Sequence, residues 1–213
     1  MSFLTRFLRS PEPPIDPATE AELDACCRRM CNPFPEDWPI PKREEALPSY
    51  VEGQQVLAAE LLAELGLTEP DASALDAAWS RFLSLRRLVR SGHKVPRHLR
   101  AGQSRAELMY LTHREDLASL KLLERIGALF GMALQRMVPD LRWVVGHDPH
   151  DKYIHEGEPI LRGFPGDFPE MNPTQVLLNL AGRSIANPVK PLSEIALKWA
   201  RGTTIPGLGE DEE

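Results

Sequence analysis

The chain of 213 residues is long enough to bury a sizeable core within one domain, and its net charge of -6 is modest. Its 42% hydrophobic and 26% charged residues are close to globular averages, which excludes a collagenous or wholly disordered chain. No apolar run reaches the roughly 18 to 20 residues that span a bilayer, which argues against a membrane helix.

The cellular compartment is predicted from the N-terminus and the cysteines. The N-terminus lacks the apolar core and cleavage site of a signal peptide, so we expect a soluble cytoplasmic protein. Cys26, Cys27 and Cys31 are too few and too close for a disulfide framework, and they lack the second ligand pair of a structural zinc site. We expect them to act as small hydrophobic residues on a helix face that contains Leu23, Cys27 and Met30 or Cys31.

Prolines divide the first part of the chain. Residues 1–18 are predicted to form an arm, because four prolines between positions 11 and 17 stop regular structure. A helix is expected to begin at Thr19, whose hydroxyl can cap it, and to end at Asn32. Residues 33–41, which contain four more prolines, are expected to run extended across a surface with their aromatic side chains beneath them.

Two helices are predicted next. Residues 50–65 carry leucine and valine at helical spacing and meet Gly66, which suits a helix C-terminus. Asp71 can cap a second helix that continues to about residue 91. Residues 104–107 fit a capping box, in which a hydroxyl and a carboxylate each bond a free backbone N–H.

The longest predicted helix covers about residues 113–138. Thr112 and Glu115 fit a capping box at its start, and apolar residues keep one face hydrophobic up to its end. Gly127 and Gly131 each cost about 1 kcal/mol relative to alanine within a helix. We therefore expect another element to pack closely against this pair.

A small antiparallel sheet or hairpin is predicted at about residues 141–161. Residues 141–145 are rich in β-formers, and residues 152–155 can return as a second strand, followed by a short third strand at 160–161. Trp143 is expected to belong to the core. Together with the long helix, this pattern predicts a helix-dominated α+β fold in which the small sheet packs on that helix.

Two helices are expected to close the domain. Asn172 followed by Pro173 predicts a helix start, and Gly182 predicts its end. A last helix carries Leu192, Ile195 and Trp199 on one face. These boundaries define a single α+β domain at 19–202 and a mobile acidic tail at 203–213.

The C-terminal half resembles a group of small bacterial domains of unknown function. The resemblance is carried by Ile126-Gly-Ala-Leu-Phe-Gly131, Leu141-Arg-Trp143, the 159–161 segment and the helix start at Asn172-Pro173. In those domains a glycine-paired helix leads into a tryptophan-bearing strand, and some members occur in toxin-immunity contexts. The resemblance implies an α+β fold and an immunity-like role, and it carries no active site with it.

A histidine-rich turn is the candidate site for metal chemistry. Its residues are His147, Asp148, His150, Asp151 and His155. Imidazole and carboxylate together suit Zn, Mn or Fe(II), and His147 could face His155 across a hairpin with His150 at its tip. The spacing matches no established metal motif, and such a turn is also typical of a solvated loop, so we expect no bound metal.

A basic stripe stands out in this acidic chain. Residues 77–106 contain no carboxylate and eight positive charges, so the rest of the chain carries -14. Six of these cations are the candidate partner-binding residues: Arg86, Arg87, Arg90, Lys94, Arg97 and Arg100. An acidic protein partner is expected, because the stripe has no aromatic residue between positions 83 and 109 on which a base could stack.

Three functions are compatible with these patterns. The first is a non-enzymatic protein-binding module of immunity or adaptor type, since no serine, cysteine or metal catalytic motif and no phosphate-binding glycine loop occurs. For the same reason we expect no cofactor. The second is a metal-dependent enzyme centred on the histidine-rich turn, and the third is an anion or nucleic-acid binder that uses the basic stripe.

Overall fold

The computed structural model describes residues 13–92, 109, 111–148, 154–166, 170–187 and 190–202. The elements follow one another along the chain as α1 (Pro17–Cys31), α2 (Ile40–Leu65), α3 (Ala72–Leu85), β1 (Leu88–Arg90), β2 (His113–Glu115), α4 (Leu117–Met137), β3 (Arg142–Val145), β4 (Pro159–Arg162), β5 (Glu170–Met171), α5 (Pro173–Arg183) and α6 (Leu192–Ala200). The predicted helix-dominated α+β class is confirmed. Each helix in the described part of the chain is too short or too polar to span a lipid bilayer.

Helix α4 is the centre of the core. Leucine, isoleucine and phenylalanine side chains on it are fully buried, and α1, α2, α3, α5 and α6 all pack against it. The predicted start at residue 113 is wrong, because residues 113–115 form β2. Asp116 caps the helix instead, its side chain accepting from the Ser119 backbone N–H at 2.8 Å. The capping box that Glu115 suggested does not form, because that side chain is buried beside Arg86.

The glycine pair of α4 allows the close contacts that the sequence predicted. A Cβ at Gly127 would lie 2.8 Å from Oγ1 of Thr174 in α5. A Cβ at Gly131 would lie 3.0 Å from Cζ2 of Trp143 in β3. Trp143 is half-buried and packs edge-on against the Tyr50 ring, with 5.7 Å between ring centroids. The missing side chains therefore bring α5 and β3 against the core helix.

Strands β3, β4 and β5 form one antiparallel sheet in that order, packed against α2 through β3. Trp143 lies opposite Leu161 and Val144 opposite Ile160. The prediction of a second strand at 152–155 is wrong for its described residues, since 154–157 form a turn and β4 pairs with β3 directly, while 152 and 153 lie outside the described residues. Ile160 and Leu161 are fully buried, so pairing this apolar segment removes far more hydrophobic surface from water than pairing the polar turn would.

The first two helices begin earlier than the sequence suggested. Asp16, not Thr19, caps α1, because its Oδ1 accepts from the backbone N–H of Ala18 and of Thr19 at 2.9 and 3.0 Å. Helix α2 begins at Ile40 and includes Pro48, so only the first part of the proline-rich segment is irregular. Pro41, the second residue of α2, costs little because its missing N–H would have had no partner in the first turn, whereas Pro48 lies inside the helix and removes a backbone hydrogen bond.

The third helix is shorter than predicted. It ends at Leu85 because Arg86 takes an extended conformation, with φ -54° and ψ 143°, and the chain enters β1. Strands β1 and β2 form a separate two-stranded antiparallel ladder. The backbone N–H of Ile15 donates to the Arg90 carbonyl at 2.9 Å, so the arm residues next to α1 lie beside this ladder.

The two closing helices agree with the sequence. Asn172 caps α5 through bonds to the backbone N–H of Thr174 and Gln175, and Pro173 is its first residue. Helix α6 buries Leu192 and Ile195, and Trp199 packs against the core. The capping box at 104–107, most of the arm and the acidic tail lie outside the described residues.

We expect Gly127→Ala to lower the free energy of unfolding by about 1–3 kcal/mol, the usual cost of overpacking, because its Cβ would overlap the Thr174 hydroxyl. Gly53→Ala is the matched control, since nothing lies within 4 Å of its added Cβ on the exposed side of α2. That variant should gain about 0.5–1 kcal/mol from helix propensity. Urea denaturation midpoints measure both. Equal gains for the two variants would contradict the close packing.

Candidate functional site

The structure divides the basic stripe into cations with different surroundings. Arg81 pairs with Glu64 of α2 at 3.5 Å on the surface. Arg86 is buried, whereas Arg87 and Arg90 are exposed at β1. The other candidate residues, Lys94, Arg97 and Arg100, lie outside the described residues. They belong to the segment 93–108 that follows β1 in the chain.

Arg86 links the end of α3 to the end of α5. Its Nη2 donates to the Ser184 carbonyl at 3.2 Å, and its Nη1 donates to the Ala181 carbonyl at 3.4 Å and to the Ser184 hydroxyl. These carbonyls belong to the last turn of a helix, where a cation complements the helix dipole. Burial lowers the pKa of Arg86, and the carboxylate of Glu115 at 3.7 Å opposes that effect.

Glu115 is the buried carboxyl beside this guanidinium. Its side chain is 7% exposed, and neither oxygen has a hydrogen-bond partner among the described residues. Burial raises the pKa of Glu115 to about 7, against the lowering influence of Arg86 and with a further increase from Asp116. For both partners the loss of hydration therefore outweighs their mutual attraction.

A second ionic cluster, which no sequence pattern indicated, holds the ladder against α1. Arg114 Nη1 donates to Glu20 Oε1 at 2.9 Å and to Asp24 Oδ1 at 2.5 Å. Glu20 also accepts from the Ser91 hydroxyl at 3.0 Å and from the Gly92 backbone N–H at 2.9 Å. Although burial opposes ionisation, the bonds from Gly92, Arg114 and Ser91 lower the pKa of Glu20.

The histidine-rich turn does not bring its described residues to one point. His147 Nδ1 donates to Glu156 Oε1 at 2.6 Å, and His155 Nδ1 donates to Glu158 Oε2 at 3.0 Å. His147 is therefore not paired with His155 across a hairpin, as the sequence had suggested. Asp148 is exposed beside His147, while His150 and Asp151 lie outside the described residues. In the described part of the chain, no three histidine, cysteine or acidic residues are arranged to hold a metal ion.

The three cysteines are free thiols on α1. The predicted apolar face is confirmed for Leu23, Cys27 and Met30, since Leu23 and Met30 are buried and Cys27 packs against the same core, and the buried Cys26 belongs to that face as well. Cys27 and Cys31 are both half-buried. Burial raises the pKa of both, and for Cys31 burial and then the Glu158 carboxylate raise it to about 12.

Cys27 and Cys31 belong to an open pocket of about 400 Å³ at the C-terminal end of α1. The pocket is lined by Cys27, Arg28, Cys31, Asn32, Phe34, Glu36 and Glu158. Glu158 Oε2 accepts from His155 and, at 3.2 Å, from Asn172 Nδ2, which also donates to the Cys31 carbonyl at 2.8 Å. The Asn172 side chain that caps α5 therefore also holds Glu158 at the end of α1.

Arg43 fixes one wall of this pocket. Its guanidinium donates to the carbonyls of Trp38, Glu36 and Pro35 at 2.8, 2.9 and 3.2 Å, and to the Gly157 carbonyl at 3.0 Å. A Cβ on Gly157 would overlap that guanidinium. The proline-rich segment is thus joined to the turn that carries Glu158. Sequence reasoning missed this pocket, because Glu158 lies more than 100 positions along the chain from the other lining residues.

Comparisons with protein-family models, with curated proteins and with solved structures gave no match to this chain. The function is therefore argued from the residues and their geometry.

Glu115 should make the stability of the protein depend on pH. Its folded pKa of about 7 lies above its ordinary value of 4.5, so the folded state holds this proton more tightly than the unfolded state. The resulting stability is fully present below about pH 4.5 and is lost as the pH rises through 7. Between pH 5 and pH 8, we expect the wild type to lose about 2–3 kcal/mol more of its unfolding free energy than Glu115→Gln, as measured by urea denaturation.

The control for this measurement is Glu52→Gln, which removes an exposed carboxylate on α2. It should keep the pH profile of the wild type. Parallel profiles for the wild type and Glu115→Gln would show that the buried carboxyl does not titrate in this range.

Proposed function

We propose that this protein is a non-enzymatic protein-binding module of immunity or adaptor type, and that an acidic partner docks on a basic surface at the β1–β2 ladder. The described residues of this basic surface are Arg87 and Arg90, and the chain continues with Lys94, Arg97 and Arg100, which lie outside the described residues. The observation that carries the proposal is the exposure of Arg87 and Arg90 at the start of a stretch that has no carboxylate until Glu107.

Arg86 is not expected to contact the partner. Its side chain is 5% exposed, and it bonds the end of α5. A buried arginine in such contacts stabilises the fold, and a partner could reach it only by opening the structure. Arg87 is different, because its side chain is exposed and forms no ion pair with any described residue.

The two strands next to the basic surface are held in a fixed position, which favours docking. Glu20 binds Ser91 and Gly92 at the point where the chain leaves β1, and Arg114 anchors the paired strand to α1. A surface that is already ordered loses less conformational entropy when a partner binds. The ionic cluster therefore supports a role for this ladder in presenting cations.

An acidic protein fits this surface better than a nucleic acid does. Arginine can bind a carboxylate or a phosphate through two parallel hydrogen bonds, so the residue type by itself allows both partners. The remainder of the chain carries -14, however, which repels a long polyanion. The stripe also lacks the aromatic side chains on which unpaired bases stack.

The test is charge reversal at the two described positions. The partner is first identified by capture on the wild-type protein and is then purified. We expect Arg87→Glu combined with Arg90→Glu to slow association with that partner by about tenfold or more at low salt and to weaken the salt dependence. Association rates can be measured by surface plasmon resonance over a series of salt concentrations.

Arg142→Glu combined with Arg201→Glu is the charge-matched control, since both residues are exposed and lie on other elements. This control should associate at nearly the wild-type rate. Equal slowing in both double variants would show that only net charge matters. Binding of DNA or RNA by the wild type at micromolar concentration in physiological salt, lost in the first variant alone, would show that the ligand is a nucleic acid.

A further inference from the structure

Glu158 lines the pocket at the end of α1, and only one of its two carboxylate oxygens is hydrogen-bonded by described residues. Oε2 is occupied, since it accepts from His155 at 3.0 Å and from Asn172 at 3.2 Å. Oε1 accepts no hydrogen bond from any described residue, and Glu158 lines the pocket. The carboxylate is therefore held in a fixed orientation while one oxygen keeps its lone pairs available.

The surroundings of this oxygen favour a cation. The charged residues that line the pocket are two carboxylates, Glu36 and Glu158, and one guanidinium, that of the exposed Arg28. Two acids beside the pocket resist ionisation: burial, and then the Glu158 carboxylate, raises the pKa of Cys31, and burial followed by Glu124 and Cys31 raises that of Tyr50. Burial by itself disfavours a charge of either sign, but the smaller contribution of the Glu158 carboxylate to the Cys31 pKa depends on sign, and a positive group would offset the Glu158 charge.

The remainder of the lining suits an alkyl chain. Phe34 is 7% exposed, and it forms the floor together with the half-buried thiols of Cys27 and Cys31. The volume of about 400 Å³ lies within the range of small-ligand pockets, and the opening to solvent allows entry. An apolar floor below one oriented carboxylate oxygen is complementary to a short aliphatic chain that ends in a cation.

We propose that this pocket binds a primary alkylammonium group, of the kind that ends a lysine side chain, through Glu158 Oε1. An ammonium is a compact point charge that needs one acceptor oxygen, whereas a guanidinium presents a planar fork that matches two. Glu158 has only one oxygen left for a ligand, because His155 and Asn172 occupy the other. This site is separate from the basic surface and takes a ligand of opposite charge.

The test uses n-butylammonium as the probe and follows backbone amide shifts of the ¹⁵N-labelled full chain. We expect a saturable shift of pocket residues such as Cys31 and Phe34, with weaker binding of n-butylguanidinium and none of n-pentanol, whose alkyl chain is one carbon longer and carries no charge. Glu158→Gln keeps an oxygen that can accept from His155 and Asn172 but places an NH₂ group at the open position. It should weaken n-butylammonium binding by tenfold or more, as expected for a charged hydrogen bond.

Arg28→Gln supplies the matched control, because it removes the one positive charge that lines the same pocket. It should bind n-butylammonium as well as or better than the wild type, and it decides the question if Glu158→Gln fails to fold. Three results would overturn the proposal: no saturable shift with n-butylammonium, equal binding of n-pentanol, or binding of acetate that Arg28→Gln abolishes.

Discussion

The close approach of α5 and β3 to α4 determines where the polar residues of the Glu158 pocket meet. Because Gly127 has no side chain, the first turn of α5 comes against α4 at Thr174, and Gly131 admits the Trp143 ring of β3 in the same way. The start of α5 then lies beside the end of α1, where Asn172 bonds both the Cys31 carbonyl and Glu158. A larger side chain at either glycine would move the wall of the Glu158 pocket together with the core.

Two buried arginines join segments that are far apart in the chain, and they differ in what surrounds their charge. Arg43 donates to four backbone carbonyls, and these hydrogen bonds hold the proline-rich segment to the turn at Gly157. Arg86 bonds the end of α5 but also lies beside Glu115, a carboxyl that no described residue hydrogen-bonds. The hydrogen bonds of Arg43 therefore stabilise the fold, whereas the Glu115 carboxyl beside Arg86 can gain or lose a proton near neutral pH.

The two proposed binding sites rely on different interactions. The basic surface relies on exposed arginines near a ladder that Glu20 and Arg114 hold in position, so attraction at a distance would dominate there. The pocket at Glu158 relies on one oriented oxygen above an apolar floor, so short-range hydrogen bonding and burial would dominate. A chain with a net charge of -6 can therefore present sites of both signs, because the charges are segregated along the sequence and in space.

Local patterns predicted the fold class, close packing at the two glycines of α4 and the caps at Asp71 and Asn172, because helical periodicity, capping and the cost of glycine act over a few residues. It misplaced the second strand and the start of α4, since only tertiary burial decides that Ile160 and Leu161 pair with β3 and that Glu115 turns inward beside Arg86. The pocket residues Cys31 and Glu158 are more than 100 positions apart and carry no joint pattern. Their meeting depends on how α5 packs on α4, and that long-range contact exists only in the folded chain.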